Sequence, residues 1–144
     1  MMGNISTSLA TELLNATLRN ASYQGPVTVY LALYTTDPTD DDVGTEVATE
    51  SGGNPTGYQR MAVAFTDPAG NGGRQCANAE EVEFPEAVAS WGTISHCGLR
   101  THAAPGAEDT LIAHAALATP KAIEAEDVLR FKAGRLVVGF QASA

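Results

Sequence analysis

The chain has 144 residues, of which 44% are hydrophobic and 17% charged, and its formal net charge is −9 from eight Lys and Arg against seventeen Asp and Glu. That length and apolar content suit one folded domain rather than a disordered chain. The acidic balance disfavours nucleic-acid phosphate and anionic membrane surfaces as partners, and no segment approaches the roughly 18 apolar residues of a membrane-spanning helix.

From the N-terminus, Ile5, Leu9, Leu13, Leu14 and Leu18 recur at helical spacing, so one amphipathic helix is expected there. Ser6, Thr7 or Ser8 supplies a hydroxyl that can accept a hydrogen bond from an orphan first-turn amide. Asn20 to Pro26 ends the helix with turn residues. Met1 to Asn20 lacks the basic start and continuous apolar stretch of a secretory signal, so synthesis and assembly are expected in the cytoplasm.

Val27, Val29, Leu31 and Leu33 alternate with Thr28, Tyr30, Ala32 and Tyr34, which predicts a strand apolar enough on both faces to be central. Asp37 to Pro55 holds four Asp, two Pro and three Gly in nineteen residues and is expected to be a functional or mobile loop. A second strand is predicted from Tyr58 to Thr66, with Gln59, Met61, Val63 and Phe65 on one face. Asp67 to Gly73 is a turn. Glu81 to Phe84 alternates and is stopped by Pro85. Trp91 to Arg100 is the next strand, with Trp91, Thr93, Cys97 and Leu99 on one side and Ile94 on the other. Leu111 to Leu117 follows, and Thr119-Pro120-Lys121 is expected to break it. Val128 to Lys132 and Leu136 to Gln141 complete the set.

Strands separated by such short links point to a mainly β protein, an antiparallel β-sandwich of jelly-roll or immunoglobulin-like topology with one N-terminal α-helix. The expected division is a helix or arm over residues 1–24 and a sandwich domain over 25–144. Terminal elements exchange most readily between subunits, so Ile5, Leu9, Leu13 and Leu18 are candidate partner-binding residues, as are Asp37, Asp40, Asp41 and Asp42 of the acidic loop.

Motifs for chemistry are missing. The Asp37, Asp40, Asp41, Asp42 and Glu46 spacing does not match a calcium loop. His96 and Cys97 are adjacent and would point to opposite faces of a strand, so one metal cannot easily take both. There is no nucleophile elbow, phosphate loop or His-Glu-x-x-His pair. No catalytic residue, cofactor or metal is therefore assigned. Cys76 and Cys97 read as small buried hydrophobes, and Trp91 and Phe84 as core.

Four segments, in order, carry a resemblance: Val27–Asp40, Gly57–Phe65, Trp91–Leu99 and Leu117–Lys121, extended by Asp127–Phe131 with Ala133-Gly134. Over about Leu9 to Phe140 the chain resembles a family of small tailed-bacteriophage virion proteins labelled tail fibre proteins. It is also similar to small β proteins that decorate or cement phage heads. The resemblance implies a non-enzymatic virion protein assembled in the bacterial host cytoplasm. Its partners would be other phage structural proteins, the major capsid protein or a tail protein, and it would form a homo-oligomer, a trimer by preference. Capsid decoration across capsomer joints is the leading expectation. A tail fibre, fibre adaptor or baseplate component is the alternative. A carbohydrate-binding module is a third possibility, and it requires Tyr30, Tyr34 and Trp91 to face outward.

Overall fold

The computed structural model describes residues 4–140. A short strand β1 (Asn4–Ile5) leads into helix α1 (Thr7–Arg19), and the remainder is strand and loop. The strands that build the main sheet are β1, β2 (Val29–Tyr34), β5 (Met61–Val63), β8 (Gly92–Arg100) and β9 (Leu111–Ile123). They form one antiparallel sheet in the order β1-β9-β8-β2-β5. Three two-stranded ribbons complete the fold. β3 (Glu50–Ser51) pairs with β4 (Asn54–Pro55), β6 (Gln75–Ala77) with β11 (Val137–Gly139), and β7 (Val82–Glu83) with β10 (Arg130–Phe131). Among the described residues no helix is long and apolar enough to cross a membrane.

β2 is central, as its two-sided apolar pattern requires. Leu31, Ala32, Leu33 and Tyr34 are all buried between β8 and β5. One face of the sheet (Leu31, Leu33, Ile94, Cys97, Leu99, Ala113) joins Val82, Phe84, Leu129, Phe131 and Leu136 from the ribbon segments in a single core. The arrangement is sandwich-like, with the large sheet as one layer and the β7–β10 and β6–β11 ribbons packed on its inner face, while the β3–β4 hairpin is exposed. Tyr58, Phe84, Trp91 and Phe131 form an aromatic cluster with ring centroids 5.5–6.3 Å apart, mostly edge-to-face, the geometry that the ring quadrupole favours.

Several expectations need correction. Pro120 does not end its strand; β9 runs on to Ile123. Between the pairs Ile94–Lys121 and His96–Ala116, β8 advances two residues while β9 advances five. Pro120 therefore sits in a bulge where no ladder N–H is missing. The same shift resets the phase of β8, so Ile94 shares the core with Cys97 and Leu99 instead of opposing them. The expected strand Tyr58 to Thr66 is regular only over Met61–Val63, because Tyr58 and Arg60 turn inward ahead of it. Val27 lies outside β2 and is 99% exposed. β6 was not predicted, since Gln75-Cys76-Ala77 has no alternation, and the acidic loop contains the β3–β4 hairpin. Ile5 belongs to β1, paired with Ala113, and not to the helix. The expected end of the last strand at Gln141, residues 1–3 of the expected arm and residues 142–144 lie outside the described residues.

Gly98 is a packing requirement of this sheet. A Cβ there would lie 2.9 Å from Tyr34 Cε2 and 2.9 Å from Leu111 Cδ1, so the tyrosine ring occupies the space that any other residue would need.

Candidate docking surface

α1 starts at Ser6, which is buried with extended backbone. Its Oγ accepts from Leu9 N at 3.0 Å and donates to the Leu111 carbonyl at 2.5 Å, while its amide donates to the Ile112 carbonyl at 2.9 Å. One residue thus caps the helix and fastens it to β9. The acidic loop holds the next residue. Thr7 N donates to the Asp40 carbonyl at 2.8 Å, and Thr7 Oγ1 donates to Asp41 Oδ1 at 3.0 Å. Beyond this anchored first turn the helix buries no residue. Leu9 and Leu13 are half-buried, whereas Leu14 is 58% and Leu18 75% exposed.

The acidic loop is ordered by its own contacts. Asp37 Oδ1 accepts from Thr39 N at 2.8 Å, and Val43 N donates to the Pro38 carbonyl at 2.8 Å. Pro38 is buried, and a Cβ on Gly44 would come within 2.6 Å of its Cα. Thr39 and Asp42 are left-handed at φ 56° and 59°, an unfavourable conformation for a β-branched threonine, held here by the surrounding bonds. His114 Nε2 donates to Asp40 Oδ1 at 2.7 Å. Asp37 Oδ1 lies 3.8 Å from His96 Nε2 and 3.9 Å from His114 Nδ1.

Beneath the loop lies a buried charge network. Arg60 places Nη2 2.7 Å from Glu46 Oε1 and Nη1 3.0 Å from Asp109 Oδ2. Arg100 places Nη2 2.8 Å from the same Asp109 oxygen and Nη1 2.5 Å from Asp42 Oδ1. The Asp109 side chain is 2% exposed and that of Arg60 3%. Tyr34 Oη accepts from Arg100 Nη1 at 3.1 Å; Tyr58 Oη donates to Glu46 Oε2 at 2.6 Å and accepts from Leu33 N at 3.0 Å. Burial alone would pull both guanidinium groups down, but the carboxylates hold them above the usual arginine range. No buried side-chain polar atom among the described residues lacks a partner.

Burial pushes the Tyr34 phenol up to about 12 despite the Arg100 guanidinium beside it, and pushes the Cys97 thiol up to about 12. Tyr58 is raised too, by burial and by Glu46. Cys76 and Cys97 are not joined in a disulfide, and Cys97 is no nucleophile at neutral pH. These groups keep their protons in the folded state where the unfolded chain has released them, from about pH 9 for the thiol and 10 for the phenols. Their stabilisation is complete below about pH 9 and is lost as pH rises toward 12. We expect a flat urea midpoint up to about pH 9, then a steep fall; the two-unit rise at Tyr34 alone corresponds to about 3 kcal/mol. A midpoint still level at about pH 11.5 would refute the assignment.

An apolar groove of about 400 Å³ opens between α1 and the body. Ile5, Leu9 and Leu13 form one wall; Val29, Phe65, Leu99, Ile112 and Val138 contribute to the rest, and Cys76, Pro68 and Phe140 also line it. Among the described residues lining it, Arg74 is the charged one. A second, mixed groove of about 710 Å³ runs past Glu12, Tyr23, Tyr30, His102 and Glu108. Among the described residues no group of three or more His, Cys, Asp or Glu side chains is placed to hold a metal.

A family model described as podophage GP4 fiber I protein gp80 matches residues 4–139. The chain belongs to that family. It is a bacteriophage virion structural protein, as the ordered segments implied. No curated protein matches it. The match of this fiber I family member runs from β1 into β11, so it takes in α1, the groove and the acidic loop together.

The expected site residues fall into three groups. Ile5, Leu9 and Leu13 come together on the groove. Leu18 sits apart, on the exposed side of α1 with Leu14. Asp40 and Asp41 hold the start of α1, Asp37 lies against two histidines, and Asp42 is an arm of the arginine network, so the acidic loop is a brace more than a free surface. The buried network of Arg60, Arg100 and Asp109 was missed. Its mark in the sequence is Arg60, which falls among Tyr58, Ala62 and Ala64 on one face of a predicted strand. Of the three aromatics an outward carbohydrate platform would need, Tyr34 and Trp91 are buried, 1% and 4% exposed, and Tyr30 is half-buried along the mixed groove.

Proposed function

We propose that this chain is a non-enzymatic fibre component of a phage particle, assembled in the host cytoplasm and attached to other phage structural proteins through the α1 surface. Residues 1–24 serve as an attachment arm and 25–144 as the rigid body, in a homo-oligomer, a trimer by preference. The family match along residues 4–139 carries this reading. It favours the fibre alternative over capsid decoration. The braced loop and satisfied charge network support a role in which the product is a fixed surface. Quantitative mass spectrometry of purified virions tests it: a fibre role predicts a small fixed number of copies that stays with the tail after the head is disrupted. Hundreds of copies on the shell would transfer the protein to the decoration role, and absence from the particle would remove it from the virion.

A further inference from the structure

We infer that the mixed groove between α1 and the loop joining β8 to β9 binds an organic ammonium group, a cation carried on a small apolar framework. Three walls build it. α1 supplies Glu12, the stretch running into β2 supplies Tyr23, Gln24, Thr28 and Tyr30, and residues 101–110 supply Glu108. Two of the walls are held from behind. Ser6 fastens α1 to β9. Arg60 Nη1 donates to the His102 carbonyl at 2.8 Å, and Thr110 N donates to Thr101 Oγ1 at 3.0 Å. A ligand therefore meets a largely formed site, which lowers the ordering cost of binding. The volume of about 710 Å³ falls within the range of small-molecule sites.

The side chains of Glu12, Tyr23, Gln24, Thr28, Tyr30 and Glu108 make no hydrogen bond or ion pair with another described residue. Nearby acidic residues behave differently. Asp37, Asp40, Asp41, Asp42, Glu46 and Asp109 are each engaged by a backbone amide, a hydroxyl, a histidine or an arginine. The chain uses those carboxylates on itself and leaves Glu12 and Glu108 open to the groove, beside two tyrosines that also lack partners.

The lining chemistry selects the ligand. Among the described residues lining the groove there is no Lys or Arg, so a phosphate, sulfate or carboxylate ligand would face two negative charges with no counterion. A cation gains where an anion loses. Glu12 and Glu108 attract it as carboxylates, and Tyr23 and Tyr30 attract it through the negative faces of their rings. Leu9, Pro26 and Val27 supply apolar contact for the framework that carries the charge. A neutral polyol takes up the hydroxyl and amide groups but gains nothing from the two charges or the ring quadrupoles, so the cation is favoured over it.

Choline and 3,3-dimethylbutanol share a shape and differ by one charge, so the pair isolates the cation. Each is titrated at millimolar concentration into the isotope-labelled full chain while backbone amide shifts are followed. Choline is expected to saturate one site, with shifts centred on Glu12, Tyr30, Thr101 and Glu108, and the neutral isostere to bind at least about tenfold more weakly. Glu12→Gln/Glu108→Gln should weaken choline about tenfold, and Tyr23→Leu, which keeps apolar area without the ring, about threefold. Glu80→Gln/Glu81→Gln removes the same charge at exposed positions outside the groove and should leave choline binding within about twofold, which separates the site from the general pull of an acidic protein. Equal binding of the isostere, equal loss in the two double variants, shifts centred away from the groove, or no saturable choline binding overturns the inference. The wild-type comparison of the two probes decides it even if a variant does not fold. None of these outcomes bears on the copy number in virions, which tests the fibre reading separately.

Discussion

Replacing Asp109 with Ala is expected to lower the unfolding free energy by about 3–5 kcal/mol. Asp109 is the shared acceptor of both buried arginines, at 3.0 Å from Arg60 Nη1 and 2.8 Å from Arg100 Nη2. Deleting it leaves two desolvated guanidinium groups with one carboxylate each, Glu46 for Arg60 and Asp42 for Arg100. The penalty comes from the charges left behind, not from the net worth of the pairs, since a fully satisfied buried ion pair contributes little relative to apolar packing. Asp41→Ala is the control. Asp41 is exposed and holds one bond to Thr7, so its loss should stay within about 0.5 kcal/mol. Urea unfolding of the two variants settles the matter, and equal midpoints would show that the network is not holding the acidic loop to the sheet. The loop carries the bonds to the start of α1, so Asp109→Ala should also loosen the helix, visible as faster amide exchange in its first turn.

Trp91→Ala is expected to cost about 3–5 kcal/mol by the same measurement. The ring is 4% exposed and meets Tyr58 edge-on at 5.5 Å and Phe84 at 6.3 Å. Its Nε1–H donates to the Thr56 carbonyl at 2.8 Å. That carbonyl also accepts from Val88 N, so the loss is mostly the cavity and its apolar contacts and not an orphaned acceptor. The cavity lies where the ribbon layer meets the sheet, a place with few ways to collapse. A Trp91→Ala protein as stable as the wild type would mean that the ribbons do not share the sheet's core.

Both predictions concern features with different visibility in the primary structure. The tryptophan was legible: it opens an apolar strand, and alternation assigns it to the core. The charge network was not. Alternation reports only the two faces of a strand and does not single out Arg60 or Arg100, and nothing local indicates that a loop 49 residues downstream of Arg60 supplies a carboxylate to it. The same limit explains β8 and β9. Their bulge places Ile94 inward and lets β9 pass Pro120, and a bulge depends on how two strands meet, not on either one alone.

The order and type of the elements were determined by the sequence itself: one N-terminal amphipathic helix, a central two-sided strand, then strands cut by Gly, Pro and Asp. These are local consequences of side-chain spacing and backbone preference, so they survive without knowledge of the rest of the chain. Only the tertiary structure decided which leucines of α1 face the body and which face water. It alone turned the acidic loop into a brace and brought Arg60, Arg100 and Asp109 together. Those outcomes depend on contacts between residues far apart in the chain, and burial of a charge or an apolar face has no meaning until the partner that covers it is in place.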